Sequence, residues 1–110
     1  MAPLHAALAT IRDNLAAGSS RDHYLARLAA THELRVTLSQ RVSEVPPAAL
    51  LPLLPELTEL LRAQLLDGRA PIVLASCGVV QAVVVQCESD AASLVRPLLP
   101  ILLDLSLIHI

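Results

Sequence analysis

Pro46-Pro-Ala-Ala-Leu-Leu-Pro-Leu-Leu-Pro-Glu-Leu-Thr-Glu59 opens a pair of apolar helices that continues to Cys87 and turns at Asp67-Gly68-Arg69-Ala70-Pro71. Val45-Pro46-Pro47 is a helix boundary, because the residue before a proline is pushed out of the helical region while proline is welcome at the first helical position. The helix that follows sets Leu50, Leu53, Leu54, Leu57, Leu60, Leu61 and Leu65 on one broad face. Pro52, Pro55, Glu56, Glu59 and Arg62 fall on the other. Two prolines inside a helix remove hydrogen bonds and bend it, at ~3 kcal/mol or more for an interior position. That cost is tolerable near the first turns and on the solvent face.

Asp67-Gly68 closes this helix and Ala70-Pro71 opens the next, which has almost no polar face. Ile72, Val73, Leu74, Val79, Val80, Val83, Val84 and Val85 leave only Ser76, Gln81 and Gln86, which point in different directions. A helix apolar all round has to be covered on nearly all sides. Gly78 within it costs ~1 kcal/mol relative to alanine, which a close approach of a neighbouring helix would offset. The β-branched run Val79 to Val85 also fits a buried strand, but no strand partner is evident.

Part of the pair recurs. Pro52-Leu-Leu-Pro-Glu-Leu-Thr-Glu59 is echoed by Pro97-Leu-Leu-Pro-Ile-Leu-Leu-Asp104, 45 residues further on, with both prolines and three leucines identical. Helix pairs that repeat every ~40 to 47 residues are the signature of HEAT and armadillo solenoids, and this unit resembles a HEAT repeat. The bent first helix with proline on its convex side is a habit of that family. The resemblance implies an all-α fold, an α-solenoid of HEAT-like antiparallel helix pairs truncated at the C-terminus. It also implies a non-enzymatic scaffold that binds protein partners along a surface made by successive helices.

Shifting the helix at Pro71 to Cys87 back by the same 45 residues superposes Leu28 on Val73, Ala30 on Ala75, Leu34 on Val79 and Leu38 on Val83. The expected organisation is therefore a divergent first repeat over 1–45, a HEAT-like pair over 46–90 and the first helix of a further, truncated repeat over 91–104. Ser89-Asp90 caps that last helix. In it, Ile101 stands for Glu56 and Leu103 for Thr58, so Leu98, Ile101, Leu102 and Leu103 should form an apolar patch through which the chain self-associates. Leu105-Ser-Leu-Ile-His-Ile110 matches the in-frame translation of a transposase end sequence used in sequencing adapters, and 105–110 are set aside as a non-native tail.

Upstream, Leu4, Leu8, Ile11 and Leu15 follow helical spacing and Gly18 is placed as a C′ glycine. Ser19 and Ser20 then offer N-caps, with Asp22 completing a short capping box. From Ser20 the apolar stripe runs Tyr24, Leu25, Leu28 and later Leu34, Leu38, Val42, Val45, and it loses phase around Ala30 to Glu33. Either one helix bends there or two helices meet at Thr31. Arg21-Asp-His-Tyr-Leu25, followed by a long helix and a HEAT-like pair, resembles the cullin exchange factors. The choice between that type, transport receptors and phosphatase scaffolds stays open.

Composition narrows the function classes. In 110 residues, 55% are hydrophobic with one Tyr and no Phe or Trp, so the core has to be Leu, Val and Ala, which favours helix on helix. Eight basic residues, all arginine, against ten acids give a net charge of −2, which is not the clustered basic footprint of a nucleic-acid binder. The apolar run Pro71 to Val85 falls short of the ~20 residues that cross a bilayer. Arg12 and Asp13 interrupt anything like a signal peptide, so a cytoplasmic or nuclear setting with protein partners is expected, without nucleic acid or membrane.

No catalytic, cofactor or metal set is legible. Cys77 and Cys87 lie about 15 Å apart on one helix at 1.5 Å per residue, beyond disulfide or shared-metal reach. Ser20, Asp22 and His23 are the residue types of a hydrolytic triad, but neighbours on one turn diverge, and a solvated cap is the plainer meaning. His32-Glu33 is followed by Val36 where a zinc-protease motif needs histidine. Glu56, Glu59, Arg62 and Arg96 fall on outward faces and form a candidate partner-binding surface, although such charges more often mark a solvated face. A self-contained helical bundle with a small-molecule pocket is the alternative from a different functional class.

Overall fold

A computed structural model describes residues 2–18, 20–40, 47–67, 69–87 and 91–108, and among them the regular structure is all helix, with no strand. Helix α1 covers Ala2–Ala17, α2 Arg21–Gln40, α3 Pro47–Leu50, α4 Leu54–Leu65, α5 Ala70–Cys87 and α6 Ala92–Ile108, with a 3₁₀ turn at Leu51–Leu53 between α3 and α4. The strand alternative for Val79 to Val85 is thereby removed, since those residues lie inside α5. Ser89-Asp90 and Val45-Pro46 lie outside the described residues.

Helix ends follow the local chemistry. Gly18 ends α1 with φ at 138°, a conformation that L side chains rarely adopt. Ser20 is the cap of α2: its Oγ accepts the His23 N–H at 3.4 Å and its carbonyl accepts the Tyr24 N–H at 3.0 Å. The prolines act more sharply than a bend. Around Pro52 and Pro55 the expected single helix divides into α3, the 3₁₀ turn and α4, with a proline in the first two positions of each of the last two, where a missing N–H costs least. The echoed prolines Pro97 and Pro100 lie inside an unbroken α6, so the two copies share sequence more closely than backbone path.

Helix α2 is one helix, not two. The apolar stripe fades around Thr31 because the inward positions there are polar: Arg27 and Thr31 are buried alongside Ala30, Leu34 and Leu38. A 3.6-residue period persists through 27, 30/31, 34 and 38 once those two are counted as core.

The main packing is α1 on α2, α2 on α5, and α4 on both α5 and α6, with a lighter contact of α1 on α4. One core runs through all of it, built from leucine and valine such as Leu4, Leu34, Leu57, Leu61, Ile72, Val79, Val83, Leu94 and Leu98. Helix α5 is less covered than its composition suggests, since α2 and α4 are its main neighbours and Leu74, Val84 and Val85 stay exposed. By length and composition alone, α5 is also long and apolar enough to cross a membrane, longer than the run Pro71 to Val85 suggested, but half of it is buried inside the fold as in a core helix. On α6, Leu98 belongs to the core and not to the expected patch. Leu99 and Leu103, one turn apart, are 43% and 60% exposed, and Ile101 and Leu102 are half-buried.

Candidate functional site

Three places concentrate polar side chains among the described residues, and each is set by which helix faces meet there. The charged face expected on α4 is the first. Glu56 does not stand free: its Oε1 accepts from Arg12 Nη1 at 3.0 Å, joining α4 to α1 through a half-exposed pair of the kind worth at most ~1 kcal/mol. Glu59 and Arg62 are exposed and line a shallow depression with Ala63 and Leu66, and Arg96 is exposed on α6. Glu59 and Arg62 thus share a surface, and Glu56 is engaged within the fold.

The second place is buried and joins three helices. Gln64 of α4 donates from Nε2 to Thr31 Oγ1 of α2 at 2.9 Å and to Ser76 Oγ of α5 at 3.1 Å. Thr31 Oγ1 in turn donates to the Arg27 carbonyl at 2.7 Å. One turn before Thr31, Arg27 is only 2% exposed and places Nη2 2.8 Å from Asp67 Oδ2. Asp67 also accepts from Arg69 Nε at 2.6 Å and Nη2 at 2.9 Å. The Arg69 guanidinium lies 3.8 Å from the centre of the Tyr24 ring, a cation–π contact.

The bond from Arg69, together with Arg27, holds the Asp67 carboxyl well below the usual carboxylate range, outweighing the burial that opposes ionisation. Arg27 Nε and Nη1 and Gln64 Oε1 have no partner among the described residues. With Arg27 and Gln64 enclosed, this assembly is a joint that fixes the register of α2, α4 and α5, not a surface that meets a substrate.

Nothing local in the sequence marked these residues as parts of one joint. One signal was available: Thr31 and Ser76 are 45 residues apart, the spacing of the echo, and both are buried and bonded to the same amide.

The third place is the groove between α2 and α5, about 360 Å³, lined by Arg35, Ser39, Gly78, Gln81 and Val85 among others. Gly78 shapes it. A Cβ there would stand 2.6 Å from Arg35 Cδ, so the absent side chain lets the Arg35 stem lie across α5.

Other sequence candidates resolve into structural parts. His23 Nδ1 lies 2.8 Å from Asn14 Oδ1, tying α2 to α1, and Asp22 is exposed, so Ser20, Asp22 and His23 form no triad. Cys77 is half-buried and Cys87 buried, and burial pushes the Cys77 thiol up, away from reactivity. No cluster of metal-ligating side chains occurs among the described residues. No protein-family model, curated protein or solved structure matches the chain.

Proposed function

We propose that the chain is a segment of a HEAT-like α-solenoid and works as a non-enzymatic protein-interaction scaffold. The observation that carries this is the order of packing. If α1/α2 and α4/α5 are successive pairs and α6 begins a third, then first helices meet first helices (α1 with α4, α4 with α6) and second meets second (α2 with α5). Stacked repeats contact only their neighbours in that way. The 45-residue offset adds to it, since Leu34 and Val79, Leu38 and Val83, and Thr31 and Ser76 share burial as equivalent positions.

Removal of α6 tests the stack. Without residues 91–110, amide-exchange protection should fall in α4, which α6 covers, and stay unchanged in α1 and α2. Loss of protection throughout would mean a closed bundle and would end the solenoid proposal.

We place self-association on Leu99 and Leu103, whose exposure forms an apolar stripe on α6. The chain should sediment with rising apparent mass as concentration rises, and the double variant Leu99→Ser/Leu103→Ser should remain monomeric with unchanged helicity. A parent chain that is monomeric at every concentration would rule this out.

A further inference from the structure

We propose that the α2–α5 groove takes an extended, acidic peptide segment of a partner protein. This deepens the scaffold proposal and rests on it. Charge complementarity is the first ground. Arg35 lies in the groove with no ion pair or hydrogen bond among the described residues, and no carboxylate lines the groove among them. Helix α5 contains no charged residue at all. On α2, Arg21 lies outside the lining of the groove, 14 residues before Arg35, within about 40° of the same face and some 21 Å along the axis. Glu33 lines the opposite groove, between α1 and α2. One flank of α2 is therefore basic and the other acidic, on a chain whose net charge is −2.

The polar side chains that line the groove favour an extended occupant. A helix satisfies its own backbone groups, whereas an extended segment presents unpaired N–H and C=O groups. The exposed Gln81 amide and Ser39 hydroxyl at the groove can bond them. Val85 and Ala82 supply apolar contact between these polar groups. Gly78 seats the Arg35 stem against α5, because any larger residue would displace it. An extended chain advances about 3.4 Å per residue, so acidic side chains about six residues apart would reach Arg21 and Arg35 together.

Fluorescence anisotropy tests this with a labelled Gly/Ser-rich peptide carrying two glutamates six residues apart, and with its glutamine and lysine counterparts. The glutamate peptide should bind, the other two should not, and 1 M salt should abolish binding, since the screening length is then about 3 Å. Arg35→Glu should weaken binding about tenfold or more and confer binding on the lysine peptide. Gly78→Ala, a better helix former, should weaken binding without lowering the thermal midpoint.

Equal binding of glutamate and glutamine peptides, no binding at all, indifference to Arg35→Glu, or a peptide that turns helical on binding would each overturn the proposal. Preferential capture of the lysine peptide by the parent chain would do so as well, yet leave a scaffold standing. The α6-removal experiment is independent of all these outcomes, so failure of the peptide proposal and failure of the solenoid remain distinguishable.

Discussion

Asp67→Ala should cost about 3–5 kcal/mol, the range for breaking a buried ion pair from one side, and lower the thermal midpoint by at least about 10 °C. The reason is what remains behind. Arg27 is held inside the fold with one guanidinium nitrogen on Asp67 and two of its nitrogens unpartnered, so removing the carboxylate leaves a buried charge with no counterion. Arg27→Met should be milder, because Asp67 keeps both bonds from Arg69 and the apolar side chain fills the space without needing partners. The double variant Arg27→Met/Asp67→Ala should then be more stable than Asp67→Ala alone, a coupling that a double-mutant cycle measures directly.

Acid should act on the same residue. The Asp67 carboxyl titrates below its ordinary value of 3.8 in the folded chain, so its contribution is fully present above that value and is lost as pH falls beneath it. Urea midpoints should therefore drop from pH 5 toward pH 2, with a shallower drop in Asp67→Asn. Additive single-variant effects together with identical acid profiles would show that the pair carries no stability.

The same joint explains how far the sequence could be read. Apolar periodicity placed α1 from Leu4 to Leu15 and the leucine face of α4 from Leu54 to Leu65, and the fold buries these positions except Leu15, which is partly buried. Hydrophobic spacing reports faces well where the core is apolar. It lost α2 where Arg27 and Thr31 turn inward, since a polar residue in the core looks like a surface residue until its partner is known. Those partners, Asp67 and Gln64, are 40 and 33 residues away. No local pattern announces such contacts.

Prolines misled in a milder way. Pro52 and Pro55 interrupt the backbone, whereas the equally spaced Pro97 and Pro100 are accommodated within α6, so spacing alone did not set their effect. Of the candidate surface, Glu59 and Arg62 were legible as exposed positions on an amphipathic helix. The engagement of Glu56 by Arg12 was not, because α1 and α4 meet only in the fold. The α2–α5 groove depended on a glycine in one helix lying beside an arginine in another.

Val83→Asp should unfold the chain or come close to it. Val83 is fully buried on the face of α5 that enters the core, and Leu38 on α2, 45 residues earlier, is buried as well. A carboxylate at that point has no buried cation within the described core to meet it other than Arg27, which Asp67 already engages. The new side chain must ionise without a partner or be kept neutral by a strongly raised pKa, and either course costs several kcal/mol. Folded domains hold only about 5–15 kcal/mol in reserve, so loss of the cooperative thermal transition is the expected result. Glu59→Ala on the exposed face of α4 removes a charge from water and should change stability by less than about 0.5 kcal/mol. Thermal melts of the two variants under one condition decide between inside and outside. Shifts of equal size would mean that α5 does not present Val83 to the core, and the packing of α2 and α4 against it would have to be redrawn.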